Sequence, residues 1–143
     1  MGDITRSLDI SASPEKIWET IANPLTWENW FTIHSGWMEE PPTALTSGTR
    51  LVEKILMLGM KNKLEWTVET VEAPGSLVVA GTGMAGVKTR FAFTLTPSGA
   101  ATTVTIDGTF TGSMITGALG KAVEKDGDKQ LGDSLARLAE LVA

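Results

Sequence analysis

The chain has no cysteine, no tyrosine and a single histidine among 143 residues. Without thiols, disulfides and cysteine nucleophiles are excluded. One imidazole cannot build a histidine-rich metal site, and neither HExxH nor CxxC occurs, so no metal and no cofactor is expected. No stretch approaches the roughly 20 apolar residues of a membrane helix. The start, MGDITRSLDI, has neither the basic segment nor the apolar core of a signal peptide. The expectation is a cytoplasmic protein with no integral membrane association. Bases are also in short supply, 12 Lys and Arg against 17 Asp and Glu, and they are scattered along the sequence. Such a chain repels phosphate backbones, so nucleic acid is not expected as a partner.

What is present has the proportions of an ordinary globular protein, and the length suffices for one domain over residues 1–143 with its own core. Asp3 to Ile10 alternates, with Ile4, Leu8 and Ile10 on one face, and reads as a strand. Ser13-Pro14 supplies a helix cap and a first-position proline, and Ile17, Trp18 and Ile21 follow at helical spacing. Asn23-Pro24 ends that helix and starts a second short one over Leu25 to Asn29. From Trp37 to Thr111 the pattern is strands separated by Gly and Pro turns, which implies an antiparallel meander. A final helix carries Leu131, Leu135, Leu138 and Val142 as one stripe, with Ile115, Leu119 and Val123 extending it upstream. Gly117, Gly120, Gly127 and Gly132 are expected to loosen its first half. The order of strand, two short helices, about six strands and one long helix predicts an α+β fold. Its sheet must curl over the only helix long enough to cover it, leaving a cavity between them.

Several of these segments resemble a known family. PEKIWETIANPLTWENW, the Gly48-Thr49 pair opening the third strand, and the closing L-x3-L-x2-L helix resemble the SRPBCC superfamily, which includes START-like lipid-binding and polyketide cyclase/dehydrase-like proteins. The segments Trp30-Phe31-Thr32-Ile33-His34 with Trp37, Lys61-Asn62 through Trp66-Thr67, and Gly83 through Gly86-Val87-Lys88 look like a bacterial subgroup. Some members of that subgroup are labelled toxins of toxin–antitoxin pairs. The resemblance implies a helix-grip fold: a seven-stranded antiparallel sheet around a long C-terminal helix, two short helices between strands 1 and 2, and a hydrophobic cavity. It implies no single chemistry.

Gly81-Thr82-Gly83-Met84-Ala85-Gly86 satisfies GxGxxG, with Asp107 downstream, but a period-two strand follows where a dinucleotide site needs a helix N-terminus. A strand-to-strand loop is the better reading. On the third strand Leu51, Glu53, Ile55 and Met57 share a face. If that face is internal, Glu53 needs a partner, with His34 or a hydroxyl such as Thr89 as candidates. A Glu53–His34 pair in a dry pocket can move protons, the chemistry of an aldol cyclisation or dehydration. The opposite register leaves Glu53 solvated, and a lone histidine among aromatics is more often a structural hydrogen-bond partner.

The segment WENWFTIHSGW holds three of five tryptophans, and these rings either wall a pocket or plug the core. The pocket-wall reading places Trp30, Ile33, His34 and Trp37 at the cavity entrance. Behind them stand Leu51, Glu53, Ile55, Met57, Trp66, Thr89, Phe91 and Phe93 on the sheet, and Leu131 and Leu135 on the helix. Gln130 and Ser134 flank the stripe, and Met57, Met60 and Met84 lie near strand ends and loops, where they can adapt to a ligand. The function expected is binding of a hydrophobic small molecule, a lipid or polyketide-like aromatic, for carriage or sensing. The alternatives are a cyclase or dehydratase using Glu53 and His34, and a toxin-like protein acting through protein contacts. A homodimer or a small protein partner stays open.

Overall fold

The computed structural model describes residues 2–143, the side chain of Met84 excepted. Strand β1 (Gly2–Ile10) leads to helix α1 (Pro14–Ile21), one 3-10 turn (Pro24–Thr26) and helix α2 (Trp27–Trp30). Strands β2 (His34–Trp37), β3 (Arg50–Met57), β4 (Met60–Glu72), β5 (Ser76–Gly83), β6 (Lys88–Ser98) and β7 (Ala101–Thr111) follow, then helix α3 (Gly117–Leu141). Every pairing is antiparallel, in the order β1-β7-β6-β5-β4-β3-β2. This is the expected helix-grip arrangement of a curled seven-stranded sheet and one long helix. Two boundaries differ. The second short helix is split into the 3-10 turn and α2, because Asn23 caps the turn through its side chain. The strand pattern begins at His34 rather than Trp37.

Local chemistry explains the elements. The Ser13 hydroxyl accepts from the Lys16 amide at 3.2 Å and Pro14 occupies the first turn, so α1 begins there and turns Ile17, Trp18 and Ile21 inward. Along β7, Val104, Ile106 and Phe110 are buried while Thr103, Thr105 and Asp107 lie on the other face. In α3 the buried stripe is Leu131, Leu135 and Leu138. Its glycines do not interrupt it: α3 runs unbroken for 25 residues. Gly127 has a packing reason, since a Cβ there would overlap the Ile4 side chain; the glycine lets β1 lie against the helix. On β3 both faces carry buried residues, Leu51 and Glu53 on one and Val52 on the other. No clean alternation could therefore fix its register from sequence.

Candidate functional site

The interior has two contrasting ends. At the end covered by α2, polar groups are buried in pairs. Glu53 is fully buried; its Oε2 lies 2.5 Å from His34 Nδ1, and its Oε1 accepts from the Trp66 indole N–H at 2.9 Å. Both carboxylate oxygens are thus committed, which offsets the desolvation of a buried carboxylate. Thr89, the other candidate partner, instead donates to the Thr109 carbonyl at 2.7 Å. A β-bulge makes the pair. Trp37 pairs with Glu53, and regular alternation from there would turn His34 outward; the register shift between His34 and Gly36 sets His34 opposite Ile55, on the face of Glu53. The imidazole then packs against Trp37 at a tilt, ring centroids 4.6 Å apart.

Around this pair the aromatic rings fill space rather than border it. Trp27, Trp30, Phe91 and Phe93 are fully buried, and Trp66 and Phe31 nearly so. They meet mostly edge to face, as in Trp30–Phe93 at 6.0 Å, Phe31–Phe91 at 5.9 Å and Trp66–Phe91 at 5.7 Å. The indole N–H groups are satisfied locally, Trp27 by the Ile21 carbonyl and Trp30 by the Thr26 hydroxyl. Ile33, Leu51, Leu131 and Leu135 are buried in the same cluster.

At the other end the grip is open. A cavity of about 250 Å³ lies between the β3–β4 hairpin, the loop after β5 and the start of α3. Its walls are mainly aliphatic: Ile55, Met57, Leu64, Val87, Ile115 and Val123, with Phe110 as the one aromatic ring. Of the residues expected to line a cavity, Ile55 and Met57 border this one; Trp30, Ile33, His34, Trp37, Leu51, Glu53, Trp66, Thr89, Phe91, Phe93, Leu131 and Leu135 do not. Ile115, Leu119 and Val123, read in the sequence as an upstream extension of the helical stripe, supply three of the cavity's lining residues.

The two described non-glycine residues with positive φ, Leu58 at 54° and Ala85 at 56°, both border this cavity. Left-handed backbone at such residues costs about 1 kcal/mol each and tends to persist at functional sites. The turn at Leu58-Gly59 is a two-residue hairpin loop in which asparagine or glycine is usual. It is held by Asp126 on α3, which accepts from the Leu58 amide at 2.9 Å and from the Gln130 side chain at 2.9 Å.

Two further depressions flank the grip. A polar cleft of about 420 Å³ between α2 and α3 is bordered by Thr32, His34, Gln130 and the ion-paired Lys129 and Asp133. The Lys129 ammonium holds the Asp133 carboxyl below the usual carboxylate range through their hydrogen bond. Gln130 donates to the Leu56 carbonyl at 2.7 Å and lies 3.6 Å from the Met57 sulfur, so these two side chains stand between the cleft and the apolar cavity. A depression of about 460 Å³ is on the outer sheet face, among threonines, the ion-paired Arg50 and Arg90, and Lys88. Its paired charges and hydroxyls give an apolar molecule little to bury, and it lies away from the grip.

A curled sheet around one helix, with an apolar opening at one end, defines a helix-grip protein. The chain belongs to the family described as polyketide cyclase / dehydrase and lipid transport, whose sequence profile matches residues 1–143. It is 27% identical over 141 residues to Uncharacterized protein Rv1546 of Mycobacterium tuberculosis, covering 99% of each chain. It is also 27% identical over 123 residues to Toxin Rv0910 of the same organism, covering 86% of this chain and 85% of that one. Among solved structures, protein CV1439 from Chromobacterium violaceum superposes with a TM-score of 0.76 at 16% identity, covering 99% of this chain and 98% of that one. At that identity the likeness is one of fold.

Proposed function

We propose that the protein binds a hydrophobic small molecule, as a single-domain cytoplasmic carrier or sensor, with the apolar body of the ligand in the cavity at the open end of the grip. One observation carries this reading: aromatic rings close one end of the interior, while the other keeps an aliphatic cavity of about 250 Å³. That volume is just under the roughly 300 Å³ at which drug-sized sites begin. A short acyl chain or a one- to two-ring aromatic fits it, and a longer ligand leaves part of itself outside. Burying ~300 Å² of apolar ligand surface contributes roughly 7 kcal/mol, before the loss of translational freedom is subtracted. Micromolar affinity or weaker is the expectation.

The Glu53–His34–Trp66 group serves this reading as an internal brace tying β2, β3 and β4 together. A cyclase or dehydratase needs its proton-transfer group beside the reacting carbon. Here each carboxylate oxygen already accepts a hydrogen bond, and neither Glu53 nor His34 borders the apolar cavity. The experiment is titration with an apolar fluorophore, N-phenyl-1-naphthylamine, and its displacement by decanoate. Val123→Trp, which fills the cavity, should weaken binding more than about tenfold. Unchanged affinity in that variant would overturn the reading. The likeness to a protein named as a toxin favours a second reading, action through a protein contact; arrest of growth on induced expression, with normal growth for an unrelated control, supports it.

A further inference from the structure

The lysines that look scattered in the sequence are gathered by the fold. Most residues bordering the cavity, Lys63 among them, fall in three segments, 54–63, 83–88 and 111–123, whose other lysines flank it in sequence. They contain Lys54, Lys61, Lys63, Lys88 and Lys121 and no aspartate or glutamate. All five lysines are exposed, and none is in an ion pair among the described residues. Of the other seven bases, Arg6, Arg50, Arg90 and Lys129 are each paired with a carboxylate.

Three of the four acids nearest these segments have a partner. Glu53 is held by His34, Glu65 by Arg50 and Asp126 by the Leu58 amide, while Glu124 is half-buried beside Gly2. Taking the +5 of these lysines from the net −5 of the chain leaves −10 on everything else. Charge is therefore spread unevenly, with +5 and no acid in these three segments and −10 on the rest of the chain.

The cavity mouth also exposes apolar side chains. Met60 is 60% exposed, Met114 54% and Leu119 38%, and all three border the cavity. Flexible thioethers among lysines suit an interface whose outer layer is charged and whose inner layer is hydrocarbon. Among the described residues no helix is long and apolar enough to cross a membrane, so contact through this end would be peripheral.

We propose that the cavity mouth docks on an anionic phospholipid surface, placing the cavity opening against the acyl layer. This rests on the reading of the cavity as a hydrophobic ligand site, and it names where the ligand is collected or delivered. The lysines supply attraction to anionic headgroups, Met60 and Met114 enter between them, and the −10 remainder turns the rest of the molecule away from the surface. A second copy docking mouth to mouth would set lysine against lysine. A nucleic acid would use the lysines and leave the methionines in water.

The test is co-flotation of the intact protein with vesicles of equimolar phosphatidylglycerol and phosphatidylcholine, against vesicles of phosphatidylcholine alone. The protein should float with the anionic vesicles only, and added salt should release it. Each lysine near such a surface contributes about fivefold in partition, so Lys61→Glu with Lys63→Glu should lower it more than tenfold. Met60→Ser with Met114→Ser should lower it severalfold at unchanged charge, and Lys16→Glu on α1 should leave it unchanged. Equal flotation with neutral vesicles, an equal loss in Lys16→Glu, or no flotation together with retention on duplex DNA would each overturn the proposal. Binding of soluble N-phenyl-1-naphthylamine separates the two readings. If docking alone is wrong, the wild type binds this probe but does not float. If the cavity reading is wrong, the probe does not bind, whatever the vesicles show.

Discussion

The two ends of the grip bury apolar surface in different ways. Under α2, tryptophan and phenylalanine rings interlock, and one carboxylate is tied to an imidazole and an indole. Under the first turns of α3, aliphatic side chains and methionines stand around a space, at two turns whose backbone is left-handed at Leu58 and Ala85. Large rigid rings with locally satisfied N–H groups give a close-packed, specified interior. Smaller and more flexible side chains leave volume and the ability to reshape. The same sheet and helix thus provide a rigid half that holds the fold and an adaptable half that can admit a ligand.

Substitutions should separate the two halves, the largest effects falling at the aromatic end. Trp30→Ala should destabilise by about 3–5 kcal/mol, read as the loss in chemical denaturation midpoint at unchanged m-value. His34→Ala should cost about 3–5 kcal/mol, because it strips a buried carboxylate of one partner. His34→Ala with Glu53→Gln should recover part of that loss, a coupling read from a double-mutant cycle. At the open end, Ile115→Ala should cost only about 1–2 kcal/mol, since one side of this residue already faces a cavity; it should raise the size of the longest acyl chain bound. Leu58→Gly should fall within about 0.5 kcal/mol of neutral, relief of the left-handed backbone offsetting lost apolar contact, and should weaken ligand binding. Equal destabilisation at both ends would erase the distinction between them.

Much of the architecture was legible in the sequence. The alternation of Val104, Ile106 and Phe110, the Ser13-Pro14 cap and the Leu131-Leu135-Leu138 stripe each follow from a period or a backbone rule that acts locally. The Glu53–His34 pairing was visible only as a candidate. What makes it is a bulge after His34, and a one-residue shift in register leaves no compositional trace. The second partner was not visible at all: Trp66 and Thr89 lie on neighbouring inward faces, and only the side-chain geometry gives the indole N–H to Glu53. The place of the cavity was legible in part. Ile115, Leu119 and Val123 signalled an apolar stripe, but that the rings of the WENWFTIHSGW segment fill their own end is a matter of volumes summed across several elements. The run of lysine-bearing, acid-free segments around the cavity was hidden for a similar reason, since 54–63, 83–88 and 111–123 are brought to one end only by the fold.

The most direct test of the central claim is methyl-resolved NMR on the protein titrated with decanoate. Saturable shifts are expected at Ile55, Leu64, Ile115 and Val123, with Ile21, Leu131 and Leu135 unmoved. Shifts centred instead on Leu131, Leu135 and Ile33, or no saturable shifts at all, would contradict it.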